Sequence, residues 1–258
     1  MIERLSPLVR LVRAPNPSPY TLEGTNTYLV GNRSPIVIDP GPDDEAHLGR
    51  VLGESGLPSV VLLTHMHPDH SEGARRFAEM AGSPLAAFDA RDGRVPVTDG
   101  ERMSSGDATL VAVFTPGHSS DHLSFWLDEE QALFTGDHVL GRGTSVVAFP
   151  DGDMGAYMTS LDRAIELAPA RVYPGHGPVV EDPQGVLAYY KAHRLDREEQ
   201  VLAAVDAGLR TIPEMVEKIY AEYPRELHQA AGLSVAAHLD DLRRRHVLAE
   251  REGAWRRA

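Results

Sequence analysis

The segment Thr64-His65-Met66-His67-Pro68-Asp69-His70 constrains this chain more than any other stretch of it. It follows directly on the apolar run at residues 59–63 and precedes a helix expected to start near Ser71. Four metal-capable side chains thus fall within six residues. Side chains on extended backbone repeat every two residues, so His65 and His67 point the same way, while Asp69 and His70 fall where the chain turns into the helix. One pair can grip one ion and the next pair a second. Standing alone, such a cluster also fits a histidine-rich loop without metal, or a single regulatory site.

Three later stations bear on that choice. Thr115-Pro116-Gly117-His118, Phe134-Thr135-Gly136-Asp137 and Tyr173-Pro174-Gly175-His176-Gly177 each follow a strand-like run, and in each a glycine precedes the donor and lets backbone approach a crowded centre. Positive ions would let Asp69 and Asp137 share one pocket. The chain has no cysteine, which excludes thiolate ligands, a cysteine nucleophile and disulfides. Imidazole and carboxylate donors without thiolate suit zinc first, with manganese or iron as alternatives.

The remaining pattern is α/β. YLVG, PIVIDPG, SVVLLTH, TLVAVFTPGH, HLSFWL, ALFTGD and RVYPGHG read as strands, several ending in a His or Asp where an α/β sheet keeps its ligand crevice. Helices are expected at residues 44–53, 72–80 and 154–167. A longer one spans 183–207, from Pro183 in its first turn to a stop at Gly208. Its face of Val186, Tyr189, Tyr190, His193, Arg197, Gln200 and Val201 mixes apolar and polar groups, as a connector packing on two bodies would. Beyond Gly208 come short helices and a hairpin, VLAEREGAWRRA.

These motifs resemble the metallo-β-lactamase superfamily, with its His-x-His-x-Asp-His signature and every later ligand station in order between about Thr27 and Gly177. The resemblance implies an αββα four-layer sandwich over residues 1–182, the connecting helix at 183–207 and a small winged-helix-like domain at 208–258. It implies two zinc ions: His65, His67 and His118 would hold the first, Asp69, His70 and His176 the second, and Asp137 would bridge them. Asp39 matches a position that braces the metal loop without ligating. The stretches GTNTYLVG, TPGHSSDHLSF, GDHVLGRGTS, YPGHGPVV and HRLDREEQ, with IPEMVEKIY and VAAHLDDLRRRHVL in the tail, resemble the β-lactamase-like protein 2 group. That group is associated with cleavage of single-stranded RNA, and its more distant relatives include acyl-carrier thioesterases.

The expected activity is therefore metal-dependent hydrolysis by water activated between two ions, with Asp69 as the catalytic group that orients it. His122, or a second water, would protonate the leaving group. A phosphodiester in single-stranded RNA is the first substrate reading. A small ester, thioester or lactone is the alternative, and the net charge of −13 favours it because polyanions are repelled. A non-catalytic binding module with a structural metal site is the reading from outside enzymology, and a complete set of seven donors argues against it.

The other histidines, at 47, 122, 138, 193, 228, 238 and 246, are expected to pack or face water, with His122, His138 and His193 closest to motifs. Thr144 and Ser145 offer hydroxyls just beyond Asp137, for a substrate oxygen or for a capped turn. Arg243, Arg244 and Arg245 follow Asp240 and Asp241 by one turn, so pairing along the helix explains them better than contact with RNA. All seven donors precede Gly208, so metal binding is expected to survive loss of the tail. The opening MIERLSPLVRLVRAPNPSP lacks an uninterrupted apolar core, and no window reaches the ~18 apolar residues of a membrane span. A cytoplasmic protein with no membrane partner is expected.

Overall fold

The computed structural model describes residues 2–89 and 91–258, and the chain divides into two compact units. The first unit holds the chain up to Thr115 together with Asp121–Thr144 and Leu167–Gln184. Seven strands form its first sheet in chain order: β1 Ile2–Arg4, β2 Val9–Arg13, β3 Asn26–Val30, β4 Ile36–Ile38, β5 Val60–Leu62, β6 Leu85–Ala87 and β7 Val95–Pro96. Pairing is antiparallel from β1 to β4 and parallel from β4 to β7. The second sheet comprises β8 Arg102–Ser104, β9 Thr109–Phe114, β10 Leu123–Leu127, β11 Ala132–Gly136 and β12 Arg171–Pro174, in the order β12-β11-β10-β9-β8. Only its β11–β12 pair is parallel.

Alternation along the strands explains how the sheets pack. Tyr28, Val30, Ile36, Ile38 and Leu62 from the first sheet share one buried cluster with Leu110, Ala112, Leu123, Phe125, Phe134 and Tyr173 from the second. The intervening Leu29, Val37 and Val61 point the other way and meet Leu48 and Val51 of α1 (Glu45–Ser55) and Phe77 of α3 (Ala74–Ala81). Between these helices lies the single turn α2, Pro68–Ser71. All seven expected strands are present. The short β1, β6, β7 and β8 went unread because IER, LAA, VP and RMS lack the β-branched runs that marked the equally short β4 and β5, and β2 because Arg10 and Arg13 interrupt its apolar side chains.

The second unit contains Pro116–Ser120, Ser145–Glu166 and Gly185–Ala258. Its elements are α4 Met154–Leu167, α5 Pro183–Asp206, α6 Ile212–Ile219, α7 His228–Arg244 and the hairpin of β13 Leu248–Arg251 with β14 Ala254–Arg257. Thr211 and Glu214 form a capping box that starts α6. Val201, Val205, Met215, Val235, Leu239, Leu242 and Trp255 make the core of this helical tail. The buried stripe of α5 is Leu187, Tyr190, Arg194, Arg197 and Val201, shifted from the expected face; Tyr189 is exposed and His193 and Gln200 half-buried. Two arginines enter that stripe because aromatic faces receive them: Arg194 lies 5.0 Å from the Tyr157 ring and Arg197 4.1 Å from the Tyr220 ring. Among the described residues no helix is long and apolar enough to cross a membrane.

Candidate metal centre

Parallel pairing brings the ends of β4 and β5 side by side, and β11 and β12 likewise, so Asp39, the 64–70 segment, Asp137 and His176 all leave their sheets at strand ends. Pro68 then opens α2, with His67 at the N-cap, and the helical turn swings Asp69 and His70 back toward the donors that precede it. His70 is fully buried, while the Asp69 side chain keeps 29% of its surface in solvent.

The donor atoms converge closely. His70 Nε2 lies 3.2 Å from His176 Nε2, 3.4 Å from Asp137 Oδ1 and 3.5 Å from Asp69 Oδ2. His176 Nε2 lies 3.1 Å from Asp69 Oδ2 and 3.4 Å from Asp137 Oδ2. His65 Nε2 and His67 Nδ1 are 3.0 Å apart. Ligands about 2.0–2.2 Å from a tetrahedral ion lie about 3.3–3.6 Å from one another; the three contacts at 3.4–3.5 Å match that spacing, and those at 3.0–3.2 Å are a few tenths of an ångström shorter. Two groups of three within this unit bring their donor atoms within 4.8 Å of one another: His65 with His70 and Asp137, and Asp69 with His70 and His176. Asp137 and Asp69 thus fall in different groups that share His70.

Hydrogen bonds behind the ligands decide which nitrogen each ring presents. Asp39 Oδ1 accepts the Thr64 N–H at 2.8 Å, and Oδ2 accepts the Thr64 hydroxyl at 2.7 Å and His70 Nδ1–H at 2.8 Å. His70 therefore turns Nε2 to the centre. Because the Thr64 proton goes to Asp39, its oxygen accepts from His65 Nδ1 at 2.9 Å, and His65 also presents Nε2. His176 Nδ1 lies 3.3 Å from the Gly24 carbonyl, with the same result. Asp39 sits at a φ of 50°, a left-handed conformation that Asp and Asn tolerate better than most residues. Gly175 is required sterically, since a Cβ there would come within 2.5 Å of Asp137 Oδ1.

Burial opposes charge on His70, yet the carboxylates of Asp137 and Asp39 outweigh it and hold its pKa well above the ordinary value. His176 follows the same balance, burial against Asp137 and Asp69, and is pushed up to about 9. Asp137 is held well below the usual range, because His176 and His70 overcome the desolvation that would raise it. The cluster without ions thus holds carboxylates against imidazolium rings, and a cation can take the place of those protons.

His122, expected as a proton donor, is buried behind Asp137. Its Nδ1 faces Thr115 Oγ1 at 3.0 Å and its Nε2 accepts the Asp137 N–H at 3.2 Å. That Nε2 carries no proton to give, and the ring braces the Asp137 backbone instead. His118 belongs to the second unit, where its Nδ1 lies 2.7 Å from the Val146 carbonyl and 3.1 Å from Ser145 Oγ. These contacts occupy Nδ1 and give the Ser145 hydroxyl a partner. Sequence reasoning missed Thr64 as the relay between Asp39 and His65, although its place between strand and first histidine was visible. In the tail, Arg243 pairs with Asp240, Arg244 with Asp153, and Arg245 with Glu198 and Asp241.

Comparison with known proteins bears on the family and the fold. Residues 20–86 and 72–176 match the metallo-beta-lactamase superfamily, and residues 211–255 match the beta-lactamase associated winged helix domain. The chain is 36% identical over 284 aligned residues to a beta-lactamase-like protein 2 homolog of Drosophila melanogaster, covering 99% of this chain and 92% of that one. It is 37% identical to an atrochrysone carboxyl ACP thioesterase of Aspergillus chevalieri, covering 89% of this chain and 79% of that one. Its fold is similar to the crystal structure of a beta-lactamase domain protein from Burkholderia ambifaria, with a TM-score of 0.88 at 22% identity over 100% of this chain and 93% of that one.

Proposed function

This chain belongs to the metallo-β-lactamase superfamily, as a metal-dependent hydrolase, and on that premise we propose that it cleaves a small acyl ester or thioester at a dinuclear centre. His65, His67 and His118 are assigned to one ion, Asp69, His70 and His176 to the other, and Asp137 to both. Zinc suits these nitrogen and oxygen donors best, with manganese and iron accepted by the same set. Two such ions supply Lewis acidity, lowering the pKa of a water nucleophile toward neutrality and offsetting negative charge in the transition state.

The chain's own residues then have distinct tasks. Asp69, the most solvent-exposed of the acidic donors, accepts a hydrogen bond from the attacking water and orients it. Asp39, Thr64 and His122 touch no substrate; they fix the rings and the Asp137 backbone that do the binding. The leaving group takes its proton from solvent-derived water, because His122 Nε2 is already an acceptor.

The observation that carries the choice of substrate is electrostatic. Arg243, Arg244 and Arg245, the longest arginine run in the sequence, are each engaged by carboxylates on a chain of net charge −13, which disfavours an RNA backbone. The thioesterase relative supports the same reading. The test is a panel of acyl thioesters, p-nitrophenyl esters, lactones, bis-p-nitrophenyl phosphate and single-stranded RNA, offered to metal-loaded protein with Asp69→Asn as control. Turnover of acyl substrates that Asp69→Asn abolishes is the expected result. Cleavage of RNA with no acyl hydrolysis would return the substrate to the phosphodiester reading.

A further inference from the structure

The turn that carries His118 is tied, bond by bond, to the winged-helix tail. Within the second unit the Pro116 carbonyl accepts from Ser160 Oγ at 2.8 Å and the Gly117 carbonyl from the Asp153 N–H at 2.9 Å. Gly117 has a φ of 135° and lies so close to α4 that a Cβ would come 2.3 Å from Tyr157 Cα. The turn therefore takes its position from residues 153–160. Asp153 in turn caps α4, Oδ1 accepting the Ala156 N–H at 2.9 Å, and its two oxygens receive Arg244 of α7 in a bidentate pair at 2.6 and 2.7 Å. Arg244 also reaches Asp240 at 3.2 Å, which holds the guanidinium from its own helix.

We propose that Arg244 and Asp153 are positioning residues for the His118 turn, through which the winged-helix tail sets the geometry of one of the two metal sites. The proposal rests on the assignment of His118 as a ligand made above. Arg244 and Asp153 side chains are 43% and 36% exposed, and pairs that open contribute little to global stability. A two-pronged pair aimed at the residue whose N–H holds Gly117 acts instead on local geometry. A partner bonded directly to a ligand commonly changes metal affinity by about 10–100-fold; Arg244 acts through Asp153 and the Gly117 carbonyl, so the lower end of that range, about tenfold, is the expected effect. Although every donor precedes Gly208, the tail then contributes to metal binding, against the expectation from donor order alone.

The experiment uses the full chain and three variants: Arg244→Gln, Arg244→Lys, and Arg243→Gln, whose arginine pairs with Asp240. Hydrogen exchange is followed in metal-free protein for peptides covering residues 115–121 and for the tail core around Val235. Zinc binding is followed by chelator competition. In Arg244→Gln the 115–121 peptide is expected to exchange several-fold faster while the tail core is unchanged, and one zinc equivalent to weaken about tenfold while the other keeps its affinity. Arg244→Lys, which keeps the charge without the fork, is expected to fall between, and Arg243→Gln to match the wild type. Unchanged exchange at 115–121 would overturn the proposal, as would faster exchange with both zinc affinities intact. A wild-type protein that binds no zinc would overturn the ligand assignment instead, and the exchange result would still decide whether Arg244 holds the turn.

Discussion

Replacing Asp39 by Asn should separate the donors from the group that aims them. The left-handed backbone at φ 50° accepts Asn, so the variant changes charge and hydrogen bonding with little change in backbone strain. Asp39 accepts three hydrogen bonds. The Asn oxygen can keep one, from the Thr64 N–H at 2.8 Å, but its amide nitrogen then faces two donors, the Thr64 hydroxyl and His70 Nδ1–H. His70 relieves the clash by moving its proton to Nε2, the atom that must ligate. Thr64 relieves it by turning its hydroxyl toward His65, which removes the acceptor that fixes that ring. Both consequences act on ligands, and the loss of such a partner is worth about 10–100-fold in metal affinity, or about 1.4–2.7 kcal/mol. The assay is chelator competition with zinc at pH 7.5, with thermal unfolding of the metal-free protein as a check on folding. Wild-type affinity for both ions in Asp39→Asn would refute the reasoning, because it would mean that ring orientation is set elsewhere.

Metal affinity should rise with pH. His176, raised to about 9 by Asp137 and Asp69 against burial, and His70, held well above its ordinary value by Asp137 and Asp39 against the same burial, are protonated at neutral pH without metal. Because the folded pKa lies above the unfolded one, this pairing stabilises the metal-free protein fully below pH ~6.5 and is lost as pH rises through about 9. Binding must expel those protons, so affinity should climb at least about tenfold per pH unit between 6.5 and 8.5, and pH-independent affinity would contradict the charge state described. His238 works in the opposite sense: burial first, then Arg194, Arg197, His193 and Arg245, push it down to about 3. Above pH ~6.5 it costs nothing, and as pH falls toward 3 the unfolded chain takes up a proton that the folded one refuses, removing roughly 3–5 kcal/mol. Its ring nitrogens have no hydrogen-bond partner among the described residues, so His238→Leu should flatten denaturant-measured stability between pH 8 and pH 5. An unchanged slope in that variant would remove His238 as the cause of acid sensitivity.

Much of the fold was legible because the strands that carry the site are also the ones with the strongest apolar runs. PIVIDPG, SVVLLTH and ALFTGD are buried on both faces, between the other sheet and helices or at the sheet centre, and so read as continuous hydrophobic stretches. The edge strands β7 and β8 lacked that signal, as their exposed Val95, Pro96, Arg102 and Ser104 show. Helix α4 was read to its ends because its apolar residues recur at helical spacing between PDGD and a proline-bearing turn. The face of α5 was read only in part: Tyr190, Arg197 and Val201 are buried as expected, but Leu187 and Arg194 were left off it, and the Tyr157 ring makes burial of Arg194 tolerable.

At the site the donors were legible and their acceptors were not, for a physical reason. A ligand must be His, Asp or another donor, so it leaves a residue type at a position, and four ligand stations in order are hard to mistake. The groups that select Nδ1 or Nε2 include backbone carbonyls, Gly24 for His176 and Val146 for His118, and a carbonyl is the same atom in every residue. No side-chain alphabet records them. Asp39 was the exception because the family resemblance marked it as a brace, and its carboxylate does take two side-chain donors and a backbone N–H at once. Arg244 was visible as a charge but not as a partner of Asp153, 91 residues away in the chain. The i, i+3 and i, i+4 spacings that the helix offered correctly gave Asp240 and Asp241 to the three arginines. Those local pairs leave two of Arg244's donors for Asp153, and it is the non-local pair, invisible to any spacing rule, that connects the tail to the turn before His118.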